Sequence, residues 1–464
     1  MLIHKYHLNN IYMLLDINSG SVHITDKIVF DIIDNLSILD TCVKLADTCP
    51  KNITQVLSST YDEKDIEDAY HDIFTLYKSN QLFTTECYKI HTHNMETLPI
   101  KSACLHVSHD CNMTCSYCFA SHGSFCSEKN LMPLDIGKKA IDFIIKNSMN
   151  RKNLEVEFFG GEPLLNFDII KQIVFYARKT EQQYNKNFRF TISTNGTLLH
   201  SENIKFINEQ MNVVVLSLDG RKEVNDRMRT MLNNKSSYDL IIPKFQQLVN
   251  ERKNKNYYIR GTITKYNIDF YNDIIHMVDL GFDQISLEPV VTDSSNPYAL
   301  SHEDLPIIYE QYEKLAIELI RRKKNLDVKN KPFNFFHFSF NLKKGPCIKK
   351  RLKGCGSGNE YISITSNGDI YPCHQFVGMD EWKMGNIIDN NLDIEKKTIF
   401  KNTSIYTKED CINCWAKFYC AGGCNANNLI YGGALNKVYK LSCEIKKKRL
   451  ECAIMLQSIY QLME

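Results

Sequence analysis

The stretch HDCNMTCSYCFA, residues 109–120, decides how this chain is read. Three thiols, Cys111, Cys115 and Cys118, fall in one short loop with CxxxCxxC spacing. Soft thiolates suit iron–sulfur clusters, which normally take four. Three from one loop can hold three irons of a [4Fe–4S] cluster and leave the fourth open to a small molecule, much as a catalytic zinc keeps an open position. A zinc knuckle is the alternative, because Cys104, His109, His122 and Cys126 are available as a fourth ligand.

Outward from this loop the pattern is regular. It follows a strand, ACLHVSH. Further strands read LEVEFFG, FRFTIST, NVVVLSL, YYIRGTIT and QISLEPVV. Helical spacing of apolar residues recurs near 135–149, 167–184, 201–210, 237–253, 269–280 and 303–324. Six βα units in a row imply an α/β fold with a parallel sheet and right-handed crossovers, a partial TIM barrel of (β/α)6 type. Chemistry in such a barrel sits at the C-terminal strand ends, where the cysteine loop falls. The other strand ends carry Gly160-Gly161-Glu162-Pro163, Ser193-Thr194-Asn195-Gly196, Ser217-Leu218-Asp219-Gly220, then Asn225 to Arg229, and Leu287-Glu288-Pro289. Any one is a plain turn by itself. Together they put polar groups at one rim, with small residues that admit a ligand.

Length and composition frame this core. A chain of 464 residues suggests about three domains. Basic residues number 56 and acidic ones 54, so no global field favours nucleic acid or an anionic membrane. No apolar run is long enough to span a bilayer, and the opening MLIHKYHLNN lacks a signal-like run, so a cytoplasmic protein is expected. The 17 cysteines are uneven: none falls between 127 and 346. Clustered thiols in a chain of this length point to metal or redox chemistry rather than a secreted disulfide scaffold.

Residues 1–85 read as three short strands, then helices in KIVFDIIDNL and DIEDAYHDIFTLYKSN, a winged-helix-like unit. A DNA-binding winged helix is the alternative, though its lysines and arginines are few and scattered among acids. A polar linker covers 86–101, the core 102–325 and a connector 326–344. Residues 345–464 are Cys-rich and end in a helix, EIKKKRLECAIMLQSIYQLM. That last region holds Cys347, Cys355, Cys373, Cys411, Cys414, Cys420, Cys424 and Cys443, enough for two four-ligand sites. Two structural zinc sites satisfy the count equally well.

CxxxCxΦC, present as Cys111, Cys115, Tyr117 and Cys118, together with GGEP at 160–163, resembles the radical S-adenosylmethionine (SAM) enzymes over roughly residues 100–325. The resemblance implies that the open iron binds SAM and that Gly160, Gly161 and Glu162 contact its amino group. Ser193, with Ser217 or Asp219, is expected at the ribose or methionine carboxylate. Asn195 shares that rim, Arg229 meets the carboxylate, and Tyr117 and the Glu288 segment border the adenine. One electron from the cluster then yields a 5′-deoxyadenosyl radical that abstracts hydrogen from a substrate.

The later spacing Cx2Cx5Cx3C, with Cys443 beyond it, resembles the SPASM domain, which carries two auxiliary [4Fe–4S] clusters. It implies one cluster on Cys411, Cys414, Cys420 and Cys443, and a nearer one on Cys355, Cys373 and Cys424 with Cys347 or nothing as fourth ligand. Three clusters in all are expected. An open iron on the nearer one would hold a substrate thiolate. The N-terminal unit resembles a RiPP recognition element, which binds a leader peptide. Three segments, IHKYHLNNIYMLLDINSGSVH, GPCIKKRLKGCGSGNEYISIT and GDIYPCHQFVG, resemble maturases of SCIFF ("six cysteines in forty-five residues") peptides. That implies a thioether from a peptide Cys to the α- or γ-carbon of an acceptor, a Thr, in a Cys-rich precursor, with a flavodoxin or ferredoxin as electron donor. The rivals are a formylglycine-generating sulfatase maturase, a non-catalytic zinc scaffold, and a radical SAM enzyme acting on nucleic acid.

Overall fold

The computed structural model describes residues 3–36, 44–86, 98–125, 128–233, 235–325, 331–342 and 348–463. Cys347, the thiol on which the open-iron expectation turns, lies outside the described residues, as do Cys42, Cys87 and Cys126.

The chain opens with three antiparallel strands in the order β1 (Ile3–Leu8), β2 (Ile11–Asp16), β3 (Val22–Thr25). Helices α1 (Lys27–Asn35), α2 (Lys51–Leu57) and α3 (Glu63–Lys78) follow. The run IYMLLDI is apolar on both sides because β2 is covered on both faces. Its alternate residues divide between two cores. Met13 and Leu15 join the main core of the molecule, whereas Leu14 joins a satellite core with Ile32, Ile53, Ile66, Tyr70 and Ile73.

Six parallel strands stand side by side in chain order: β4 (Ser102–Ser108), β5 (Asn153–Gly160), β6 (Asn187–Thr194), β7 (Val213–Ser217), β8 (Asn256–Ile263) and β9 (Gln284–Pro289). Their helices are α4 (Leu134–Asn147), α5 (Phe167–Tyr184), α6 (Ser201–Gln210), α7 (Lys222–Met228), α8 (Tyr238–Arg252), α9 (Phe270–Asp279) and α10 (Leu305–Lys324). The sheet is the parallel α/β arrangement that the six βα units require. Strands buried on both faces read as continuous apolar runs; β5, β6 and β8 alternate in burial instead. One register, with Leu105, Phe158, Phe190, Leu216, Ile259 and Leu287, is fully buried. The other carries Glu157, Ser193, Ser217, Arg260 and Glu288, so the space that the strands enclose is polar. α7, only seven residues long, stands where the polar run after the fourth strand gave no helical period.

The same sheet continues past both ends of the barrel. β10 (Asn334–Phe335) adds beside β9. On the other side β11 (Tyr361–Ile364) pairs in parallel with β4, and β12 (Asp369–Tyr371), β13 (Gly385–Asn386) and β14 (Asn391–Leu392) follow, eleven strands among the described residues. The Cys-rich region is thus bonded edge to edge to the first barrel strand. Its helices are α11 (Ile348–Lys353), α12 (Ile394–Asn402), α13 (Glu409–Ile412), α14 (Lys417–Cys420), α15 (Asn425–Gly432) and α16 (Lys440–Met463).

α16 packs along α10 and the turn at 336–338. Cys452 is fully buried on it, a small apolar side chain in a packed helix. The N-terminal sheet docks on this region. The His4 ring stacks on Trp415, centroids 3.9 Å apart. His4 Nε2 lies 3.0 Å from Glu451 Oε1, and Tyr6 Oη donates to the Glu451 carbonyl at 3.0 Å. No described helix is long and apolar enough to cross a membrane.

Candidate active site

The cysteine loop is tied down by backbone bonds across the rim. Thr114 N donates to Thr230 O and Ser116 N to Met228 O, both at 2.8 Å. Cys111 N donates to Asp110 Oδ1 at 2.8 Å. All three thiols are partly exposed. Burial pushes the Cys111 thiol up to about 12, and Glu162, Cys115 and Cys118 add to the rise. Burial also raises Cys115, against the pull of Arg229. Crowded thiols that resist ionisation are relieved by a cation, which reverses this electrostatic logic.

Gly160 and Gly161 join the ends of two strands. A Cβ at Gly160 would lie 2.0 Å from Ser108 O, and one at Gly161 2.2 Å from Asp110 O. Gly161 N and Glu162 N donate to those same two carbonyls at 2.8 and 2.9 Å. The missing side chains therefore make room for the protein's own backbone. Glu162 is fully buried. Its Oε1 accepts from Leu164 N at 3.0 Å and Thr194 Oγ1 at 2.7 Å, and its Oε2 accepts from Asn195 N at 2.7 Å. A carboxylate has about four acceptor positions, so about one remains. Asn195 Nδ2 donates to Asn112 Oδ1 at 2.9 Å and lies 3.8 Å from Cys111 Sγ, which fastens the rim to the thiol loop.

Tyr117, Asp219 and Arg229 meet one another. Tyr117 Oη donates to the Asp219 carboxylate, 2.7 Å from Oδ2 and 2.9 Å from Oδ1, and accepts from Arg229 Nη1 at 3.1 Å. Thr262 N donates to Asp219 Oδ1 at 2.9 Å. Burial pushes Asp219 up to about 6, against the pull of Arg229. Arg229 Nε is buried and finds no partner among the described residues. An orphaned guanidinium N–H at this rim fits an acceptor such as a ligand carboxylate.

The remaining rim residues diverge. Ser193 Oγ turns inward and donates to Glu157 Oε1 at 3.0 Å. Ser217, half-buried at the end of β7, is the register partner of Arg260. Glu288 is held by α16. Arg449 Nη1 lies 2.8 Å from its Oε2, and His337 Nε2 lies 3.4 Å from its Oε1. Burial alone would raise this carboxyl, but Arg449 holds it well below the usual range.

The later cysteines form two groups. Burial lifts Cys443 to about 12, and Cys420, Cys411 and Cys414 each push it further. Cys373, raised by burial, feels Cys424 and Cys355, and Cys424 feels Cys355 in turn. Between the groups lies Lys408, 1% exposed, whose Nζ donates to Gly422 O at 2.7 Å. Burial lowers its pKa, while Cys411, Cys420, Cys424 and Cys443 raise it. No motif marks this lysine in the sequence. Among the described residues no three His, Cys, Asp or Glu side chains converge as the ligands of one metal ion do. A donor set of thiols alone suits an iron–sulfur cluster.

Aromatic contacts link the first loop to the second region. His374, next to Cys373, has ring contacts with Phe119 at 5.7 Å and Phe159 at 5.1 Å, and its Nδ1 lies 3.2 Å from Tyr361 Oη. Burial pushes His374 down to about 4, so it is neutral near pH 7. His106, also buried, has Nε2 3.2 Å from Ser363 Oγ of β11.

The family described as a 4Fe-4S single cluster domain matches residues 102–243, and the SPASM iron–sulfur cluster-binding domain matches residues 355–415. The cysteine-type anaerobic sulfatase-maturating enzyme of Clostridium novyi is 28% identical over 334 residues, 69% of this chain and 86% of that protein. The radical SAM cyclopropyl synthase TigE of Paramaledivibacter caminithermalis is 23% identical over 361 residues, 73% of this chain and 69% of that protein. Among solved structures, Streptococcus suis SuiB bound to precursor peptide SuiA superposes with a TM-score of 0.52 and 18% identity, covering 94% of this chain and 97% of that one.

Proposed function

The chain is a radical SAM protein with a SPASM domain, and from that premise we propose that it joins a Cys sulfur of a ribosomally made, Cys-rich precursor peptide to a carbon of an acceptor residue. The acceptor is a Thr, attacked at its α- or γ-carbon, and the reaction takes place in the cytoplasm. The observation that carries this reading is the N-terminal sheet. It is docked on the Cys-rich body, and its edge strand β3 pairs only with β2 among the described residues. Such an edge accepts a peptide as an added strand. The relative SuiB, alike over nearly the whole chain, holds a precursor peptide in its structure.

In this reading Cys111, Cys115 and Cys118 hold the SAM-binding cluster. Cys411, Cys414, Cys420 and Cys443 hold one auxiliary cluster, and Cys355, Cys373 and Cys424 hold the other. When bound, SAM cleaved with one electron from a flavodoxin or ferredoxin would supply the radical that removes the acceptor's hydrogen atom, and the cluster on Cys355, Cys373 and Cys424 would take up the one electron released as the S–C bond forms, the thiol proton passing to solvent. The chain's own residues bind and orient. Arg229 offers its free Nε to the methionine carboxylate, and Tyr117 and Asp219 fix that guanidinium from behind. Glu162 keeps one acceptor position for an ammonium. His374, beside Cys373, packs against Phe159 and Phe119, which ties the second thiol region to the first.

Co-expression with a short Cys-rich reading frame encoded beside this one, followed by mass spectrometry, tests the proposal. The expected result is a loss of two hydrogens per thioether. An unchanged peptide mass would count against it. The likeness to the Clostridium novyi enzyme favours a second reading, maturation of a sulfatase cysteine. That reading predicts a peptide aldehyde, trapped by a hydrazide, and no thioether.

A further inference from the structure

Arg260 is exposed although it stands on β8, in the interior of the sheet between β7 and β9. Its neighbours Ile259 and Ile263 are fully buried, and by strand alternation Arg260 points to the opposite face. Its exposure is therefore to open space inside the barrel. Its charge is felt by Glu157 on β5, Glu288 on β9, His337 after β10 and His374 after β12. The strand registers put Arg260 on the same face as Glu157 and Glu288, so it borders the space that the strands enclose.

No described carboxylate pairs with it. Glu288 is engaged by Arg449 and His337, and Glu157 accepts from Ser193. Arg260 is thus a cation on the inner face whose acidic neighbours are already engaged, and a guanidinium with a free planar fork is matched to a carboxylate.

We propose that Arg260 anchors a carboxylate subsite in the barrel lumen, which takes an anionic group of the substrate peptide, either an acidic side chain or the C-terminal carboxylate. The proposal rests on the peptide-modifying reading. Arg260 is level with Ser217 at the end of β7. The anchored group therefore sets how far the peptide enters and which residue stops at the rim. Arg260 is a specificity determinant and takes no part in bond making.

The test uses the enzyme loaded with clusters and SAM, and acetylated hexapeptides that carry one Cys and one Thr. One pair differs only in Asp or Asn, and a second only in a free or amidated C-terminus. Binding is read by fluorescence anisotropy, and SAM affinity is read separately. One acidic peptide should bind about tenfold tighter than its amide partner, and the pair that shows the preference identifies the source of the carboxylate. Arg260→Gln should erase the difference, Arg260→Lys should keep part of it, and both should bind SAM as the wild type does. Equal binding within both pairs overturns the subsite and leaves the peptide function standing. So does a preference that survives Arg260→Gln. Loss of SAM binding in Arg260→Gln also overturns it, since Arg260 would then belong to the cofactor site. If no hexapeptide binds, the subsite falls, while the peptide function is judged by the mass of the co-expressed precursor.

Discussion

The hydroxyl of Tyr117 is the smallest group on which the rim depends. It is the hinge between a buried carboxylate and a buried guanidinium. Tyr117→Phe leaves Arg229 Nη1 without its acceptor and Asp219 with the Thr262 amide but no Tyr117 hydroxyl as donor. Urea unfolding of the cluster-free protein should show a loss of about 1–3 kcal/mol, and SAM should bind more weakly. Asp219 gives a pH signature. Folded, its carboxyl titrates at about 6 against an ordinary value of 3.8. A carboxyl that holds its proton more tightly in the fold stabilises it at low pH, and loses that contribution as pH rises through the folded value. The stability of the wild type relative to Asp219→Asn should therefore fall between pH ~4 and ~7, and equal slopes for the two would refute the assignment. The thiols, Glu162, Asp219 and Arg229 were legible in the sequence because a motif or a strand end marks each. Glu157, Arg260, Lys408 and Arg449 were not. They are single charges in strands, loops and a long basic helix, and only the three-dimensional path brings them inward.

At the level of elements, the rim is assembled by closing β5 on β4 with no side chain between them. Gly160 has φ 136°, and its absent Cβ would meet a backbone carbonyl that cannot swing aside. Gly160→Ala should cost at least about 2 kcal/mol, seen as a lower urea midpoint, and should impair cluster retention by displacing the loop from 109 to 120. The six barrel strands and their main helices were readable because each is long enough to show a period. β10 to β14 span two to four residues each, shorter than any period, so the Cys-rich region read as irregular. The pairing of β11 with β4 joins residues over 250 positions apart, and local sequence carries no sign of such a register.

For the whole molecule, the sequence sets residues 1–85 apart as a unit of their own. Its strand β2 shares Met13 and Leu15 with the main core, so truncation would lay open apolar surface and confuse lost recognition with lost stability. A point change on the free edge is the cleaner probe. Ile24, 40% exposed on β3, sits there. Ile24→Pro should weaken precursor binding at least about tenfold, while SAM cleavage without peptide stays at the wild-type rate. Equal peptide affinity in the two proteins would remove this edge from the binding path. One further property follows from α16. Its 24 residues make a rod about 36 Å long. Cys443 rides in its first turns, Arg449 grips Glu288 midway, and Glu451 meets His4 and Tyr6 of the first strand. One continuous helix carries all three stations. A shift imposed on the rod where it meets the N-terminal sheet must be felt at the lumen and at the far thiols. By linkage, a ligand at any one of them changes the grip at the others.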